Sequence, residues 1–238
     1  MIGRSLRIGR VQEARFIQRL NRFLVEVELT GEGGQKGQKV LAHLRDPGRL
    51  KELLVPEAEI LVRRAEGEKR KTSFEVVAVK TGNIWVLVNS GLHPVLGEIA
   101  LNAMGCRVIR REFRAESSRF DFLCECGGRE SVKTVVETKG CTLVVDGTAY
   151  FPDAPTERGA RHLEELARLE GYGRLVLFLV VREDAVKLKP NRKMDERFGR
   201  AFDEAADRGV EMKAARFRLR YEACELSVEL VDFIPVER

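Results

Sequence analysis

The sequence predicts an α+β chain of two parts, a small β-barrel over residues 1–90 and a mixed-sheet α/β domain over 91–238. Three observations predict it. Short period-2 strand patterns recur as far as Ser90, helical patterns mixed with longer strands follow, and the charge divides at the same point. Up to Ser90 there are 17 Lys and Arg against 11 Asp and Glu, and 25 against 26 thereafter. At 238 residues, 44% apolar and 33% charged, the chain is long enough for a well-buried core and for two domains.

In the first part, strand patterns lie at 23–30, 39–45, 58–64, 73–80 and 83–89. Phe23, Val25, Val27 and Leu29 should share one face, opposite Glu26 and Glu28. Thr81-Gly82-Asn83 reads as a hairpin turn, 31–37 as a loop and 47–54 as one short helix. Five strands and an interposed helix describe an OB-like barrel, the commonest such unit that binds nucleic acid; an SH3-like barrel would leave much the same trace. The local basic excess fits a polyanion, or simply a solvated surface.

In the second part, 94–104 is helical in pattern, and strands at 119–126 and 132–139 are joined by a turn at Gly127 and Gly128. A helix at 156–170 turns Leu163, Leu166 and Ala167 inward and stops at Gly171. The run RLVLFLVVR at 174–182 is apolar enough for a strand buried on both faces. A helix at 194–208 ends at Gly209, and a last strand runs through 218. No apolar run approaches about 20 residues, and residues 1–10 are basic with no hydrophobic stretch behind them, so the expectation is a soluble, cytoplasmic protein without a membrane role. Five cysteines, of which only Cys124 and Cys126 are close, point to neither a disulfide framework nor a zinc site. Those two read as small core residues, and so does His43. Abundant charge with sparse Asn and Gln is the composition expected of a heat-adapted protein.

The chemistry sits on the hairpin. Alternation in SRFDFLC sends Phe120, Phe122 and Cys124 to one face and Asp121 to the other, while Val135, Glu137 and Lys139 share a face of the partner strand. If Asp121 pairs with that face, two carboxylates and an ammonium converge. Hard oxygen ligands suit Mg2+ or Mn2+, and Lys139 could position an attacking water or stabilise developing charge. The bland alternative is a salt bridge on an exposed strand.

Asp121 and Glu137-Thr138-Lys139 on a hairpin after a helix resemble the PD-(D/E)XK nuclease core, in which an acidic residue of the preceding helix often joins the site; Glu98 holds that place. Phe120 stands where the nominal motif has proline, and Thr138 where an aliphatic residue is common. More specifically, Arg22-Phe23, Asp46-Pro47-Gly48-Arg49-Leu50, Ser118-Arg119-Phe120-Asp121-Phe122, the stretch 137–143 and the stretch 151–159 together resemble the sugar fermentation stimulation family, SfsA. The resemblance implies an OB-like domain followed by a PD-(D/E)XK-like domain, DNA binding, and a role in controlling sugar-metabolism genes. It also implies catalytic or metal-binding roles for Asp121, Glu137 and Lys139, with Glu98 beside them.

For nucleic acid the candidate contacts are Arg22, Arg49, Arg63, Arg64, Lys69, Arg70, Lys71, Arg119 and Arg158, together with Trp85 as a stacking surface. Each has a structural alternative: a solvated loop for the 63–71 run, a core aromatic for Trp85. His162, one turn from Arg158, could order a phosphate or lie on a solvated helix face. Two function classes follow. One is a DNA-binding module with little sequence preference, since no base-reading helix is evident; the other is a Mg2+- or Mn2+-dependent nuclease. Homo-oligomerisation is left open.

Overall fold

The computed structural model describes residues 4–31, 36–46, 48–65, 72–115, 117–127 and 131–238. The barrel comprises β2 (Gln12–Asn21), β3 (Leu24–Leu29), β4 (Lys39–Leu44), β5 (Glu59–Arg64) and β6 (Phe74–Thr81). Neighbours run β4-β3-β2-β5-β6, and a parallel pairing of β4 with β6 through Ala42↔Phe74 and Leu44↔Val76 closes the ring. Closure leaves no open edge within the ring. Alternation supplies the interior: Val25, Val27 and Leu29 are buried with Ala42, Leu44, Ile60 and Val76. Phe23 lies in the turn before β3 and is 45% exposed, so it does not share the inward face of Val25. β7 (Ile84–Leu87) extends the barrel from β6.

The expected helix at 47–54 is not there. The described residues of that stretch form a bend and a turn; Leu50 takes a left-handed φ of 49°, which a helix cannot propagate through. Leu54 N–H still bonds to the Leu50 carbonyl at 2.8 Å, closing a single turn over buried Leu50 and Leu53.

The second domain holds α1 (His93–Ala103), α2 (Glu157–Arg168) and α3 (Glu196–Asp207) on a seven-stranded sheet. β10 (Val132–Cys141), β13 (Gly173–Val180) and β15 (Glu211–Glu222) run parallel at its centre. β9 (Ser118–Cys126) and edge strand β8 (Arg107–Ala115) add antiparallel on one side, and β16 (Glu225–Ile234) on the other. A small sheet of β11 (Val144–Val145), β12 (Thr148–Phe151) and β14 (Lys187–Pro190) lies beside it. α1 covers one face, over Phe122, Val136 and Leu177, while α2 and α3 cover the other, over Val135, Val176 and Phe178.

β1 (Ser5–Arg10) belongs to this second sheet, paired antiparallel with β16 through Leu6↔Val228. β1 thus lies in the α/β sheet, and the chain crosses to the barrel after Val11. A further departure is a disulfide between Cys106 and Cys126. The pairing of Arg107 with Glu125 sets the two cysteines side by side at the end of the β8–β9 ribbon. Cys124 is the buried free thiol that the sequence suggests.

Candidate functional site

Strand β9 leaves its partner at Asp121. Pairing with β10 runs from Cys126↔Val132 to Phe122↔Val136, after which the Asp121 carboxylate turns onto β10. Its Oδ2 accepts from the Thr138 backbone N–H at 2.7 Å and from the Thr138 hydroxyl at 2.5 Å. Strict alternation fails at this residue. Phe122 packs in the core under α1 and Phe120 in the core under α2, so the two rings do not share a face. On the neighbouring strand, Glu112 sits between the pairs Arg111↔Phe122 and Phe113↔Phe120 with a left-handed φ of 52°. The irregularity frees Asp121 to bond along β10.

Glu137 is 5% exposed. Its Oε1 receives Lys139 Nζ at 2.6 Å and His162 Nδ1 at 2.6 Å. Arg158 Nε donates to His162 Nε2 at 3.3 Å, which leaves the ring proton on Nδ1, aimed at Glu137. The other oxygen, Oε2, is buried and without a partner among the described residues. A buried acceptor left in that state costs about 1–3 kcal/mol.

Electrostatics separate the two carboxylates. Burial pushes the Asp121 carboxyl above its ordinary range and the Glu137 charge adds to the push, against the Thr138 hydrogen bonds and Lys139. Burial acts on Glu137 in the same direction, but Lys139 and His162 together outweigh it and hold the group below its ordinary value. The pair thus contains one stable carboxylate and one disfavoured by burial and by its neighbour's charge. Asp121 Oδ1 and Glu137 Oε2 are hard oxygens of the kind a divalent cation takes. Among the described residues no three His, Cys, Asp or Glu side chains gather at metal-holding range. A cation here would thus take two carboxylates from the protein and complete its shell with carbonyls, water or phosphate oxygens.

A cleft of about 280 Å³ lies between the domains beside this group, with Thr138 and Lys139 in its wall and Asp121 and Glu137 outside its lining. The α/β domain contributes Lys139 and Gly140, and the barrel contributes Arg22, Asp46 and Gly48. His93, the first residue of α1, packs its ring on Gly140 so closely that a Cβ there would come within 2.1 Å of Cε1. Burial lowers the His93 pKa to about 4, and its Nε2 has no partner among the described residues. Asp46 and Asp153 flank Gly48, where a Cβ would meet Asp153 Oδ2 at 2.7 Å and Asp46 Oδ1 at 2.9 Å. The Gly48 N–H donates to Asp46 Oδ1 at 2.7 Å and the Arg49 N–H to Asp153 Oδ2 at 3.1 Å. The segments at 46–50, 137–143 and 151–159 therefore meet in one cleft.

The other candidates scatter. Glu98 is held by Arg111 through contacts of 2.6 and 2.8 Å, on the α1 side of the sheet. Arg63 pairs with buried Glu75, Arg64 lies 5.9 Å from the Phe74 ring, and Arg119 is exposed with Glu112 at 3.5 Å. Trp85 meets Tyr221 edge-on at 5.7 Å, a contact between β7 and β15. Lys69, Arg70 and Lys71 lie outside the described residues. His162 is the informative surprise: it is buried, not on a solvated face, and is the group that grips Glu137. It falls on the inward stripe with Gly159, Leu163 and Leu166, so the helical period carried that signal. Asp46, Asp153 and Gly140 had no such marker beyond membership in the quoted motifs, and His93 lay outside them.

Comparison with known proteins agrees with this architecture. Residues 17–88 match the model for the SfsA N-terminal OB domain, and 87–223 match that for the sugar fermentation stimulation protein RE domain. The chain is 45% identical over 203 residues to a sugar fermentation stimulation protein homolog of Methanothermobacter thermautotrophicus, covering 82% of this chain and 81% of the relative. It is 38% identical over 237 residues to the Acetivibrio thermocellus homolog, covering 96% and 97%. The structure of Pyrococcus furiosus SfsA in complex with Ca2+ superposes with a TM-score of 0.85 at 26% identity, covering 98% of each chain. With both domain models matched in order along nearly the whole chain, the protein belongs to the sugar fermentation stimulation protein family.

Proposed function

We propose that this protein binds DNA with little sequence preference and holds a divalent cation between Asp121 and Glu137, where it meets a phosphodiester in the interdomain cleft. The observation that carries the reading is the buried, unpartnered Oε2 of Glu137 beside a second carboxylate whose pKa is raised. The Ca2+ bound by the Pyrococcus furiosus relative supports it. Asp121 and Glu137 would be the protein ligands; Mg2+ or Mn2+ bound there would supply Lewis acidity and lower the pKa of a water so that it can lose its proton and become nucleophilic. Thr138 fixes Asp121, and His162 fixes Glu137. The basic barrel, with Arg22 in the cleft wall and Arg49 next in sequence to the cleft's Gly48, would attract the phosphate backbone through charge and counterion release. Control of sugar-metabolism genes, implied by the family, would act through that binding.

Hydrolysis is the second reading, and Lys139 favours it: the ammonium sits in the cleft, 2.6 Å from Glu137, where it could stabilise charge on a reacting phosphate. The test combines thermal melting with and without Ca2+, Mg2+ or Mn2+ and incubation with labelled DNA at several salt concentrations. Metal should stabilise the wild type, by about 2.7 kcal/mol at a hundredfold excess over Kd. Asp121→Ala should abolish that response, and Lys139→Ala should keep it. Binding should weaken steeply as salt rises. A metal response unchanged in Asp121→Ala overturns the site. Metal binding without cleavage leaves the binding reading and removes the nuclease.

A further inference from the structure

A second groove, of about 540 Å³, lies on the barrel beside the cleft. Its walls include Phe23, Leu41 and His43. Phe23 is 45% exposed and Leu41 42%, although Phe23 precedes β3 and Leu41 lies on β4, strands whose inward side chains fill the barrel. The Phe23 and His43 rings are 6.4 Å apart and tilted by 31°. The volume falls in the roughly 300–1,000 Å³ range of small-molecule sites. Apolar and aromatic surface of this kind, left in water at the rim of a basic domain, calls for an occupant.

We infer that the groove is a base-stacking subsite for an unpaired nucleic-acid strand whose phosphate backbone continues into the interdomain cleft. The inference rests on the nucleic-acid reading above. Charge complementarity names the occupant. The Arg22 guanidinium lies 5.5 Å from the Phe23 ring centroid and also borders the cleft, while Arg45 borders the groove. Chain neighbours link the two openings, Arg22 in the cleft with Phe23 in the groove, and Asp46 in the cleft with Arg45 in the groove. Aromatic surface between guanidinium groups fits a strand that presents a flat apolar base between anionic phosphates. A duplex does not fit, because its base faces are covered by stacking and only edges and phosphates reach the outside. Phe23 and His43 therefore select for unpaired segments, while the arginines serve any backbone.

The test titrates the full-length protein into an oligonucleotide carrying 2-aminopurine and into the matching duplex, with metal chelated so that nothing is cut. The unpaired strand should bind more tightly than the duplex and change its fluorescence on binding. Phe23→Ala should weaken binding of the unpaired strand by about tenfold, the effect of one lost aromatic stack, with duplex binding unchanged. Phe23→Trp should retain it. Equal loss for strand and duplex, or no loss for either, overturns the subsite and leaves the nucleic-acid reading intact. Failure of the wild type to bind any nucleic acid overturns both. If Phe23→Ala instead converts a dimer to a monomer in sedimentation, the groove's occupant is a second copy of the chain and the inference is wrong.

Discussion

Each domain buries a glutamate, and the two are treated differently. Glu75 of the barrel is 2% exposed and Glu137 of the α/β domain 5%. Glu75 Oε1 takes Arg63 Nε at 3.1 Å and a terminal guanidinium nitrogen that closes the ion pair, and neither oxygen of Glu75 is a buried orphan. Glu137 likewise takes two donors on Oε1, but its Oε2 is buried with no partner among the described residues. Burial, net charge and the donors on Oε1 do not distinguish a structural ion pair from a site; the state of the second oxygen does. Of the two, Glu137 is the one whose second oxygen is stranded in the interior, held there by a lysine and a histidine on the first and open to a cation.

Removing each glutamate tests that contrast with the largest effect. Glu137→Ala strands Lys139, whose side chain is 10% exposed, and buried His162, and should cost about 3–5 kcal/mol without metal. Glu75→Ala should cost less, because the Arg63 side chain is 33% exposed and can turn toward water. Urea unfolding with and without Ca2+ separates them further: the cation should stabilise Glu75→Ala as it does the wild type and leave Glu137→Ala unmoved. Equal metal responses would erase the distinction between the two carboxylates.

His162 sharpens the contrast. As a positioning residue it fixes which oxygen of Glu137 is occupied. His162→Leu should cost about 1.5–3 kcal/mol, the worth of a hydrogen bond to a charged group, and should weaken the metal response. His162→Asn can place an amide N–H near the position of Nδ1 and should recover most of the metal response, though not all of the packing. If the Leu and Asn variants lose stability equally while both keep the full metal response, His162 is merely a core residue.

How much of this was legible follows from which signals are local. Val25, Val27 and Leu29 alternate within one strand, and the run at 174–182 is apolar throughout; both announce their burial. β8 reads RVIRREFRA and carries little apolar pattern, because it is a solvent-facing edge whose place is set by pairing with β9. β1 is short, and its partner strand lies more than 200 residues away. At the site, Asp121, Glu137 and Lys139 came from spacing and resemblance. Two details were invisible: the break in alternation between Phe120 and Phe122, which depends on the conformation of Glu112 in another strand, and the meeting of Asp46 with Asp153 across the domains. Such features arise from tertiary contacts that no window of sequence contains.

Acid–base behaviour gives the smallest and most specific test. The Asp121 pKa is raised in the folded protein, chiefly by burial and then by Glu137. Its contribution to stability is therefore fully present below the unfolded value near 3.8 and is lost as pH rises through the folded pKa. Once ionised, Asp121 weakens the metal-free fold. Glu137, lowered overall, behaves oppositely: its contribution is present above the unfolded value near 4.5 and disappears as pH falls through the folded one. Asp121→Asn keeps an oxygen for the two Thr138 donors and removes the charge. It should melt slightly higher than the metal-free wild type at pH 7, with the advantage shrinking as pH falls toward the range where wild-type Asp121 is protonated. Adding Ca2+ should reverse the order, since the wild type gains a ligand–cation interaction that the amide largely forfeits. A variant that melts below the metal-free wild type at pH 7 would mean that the Asp121 charge is already compensated without a cation.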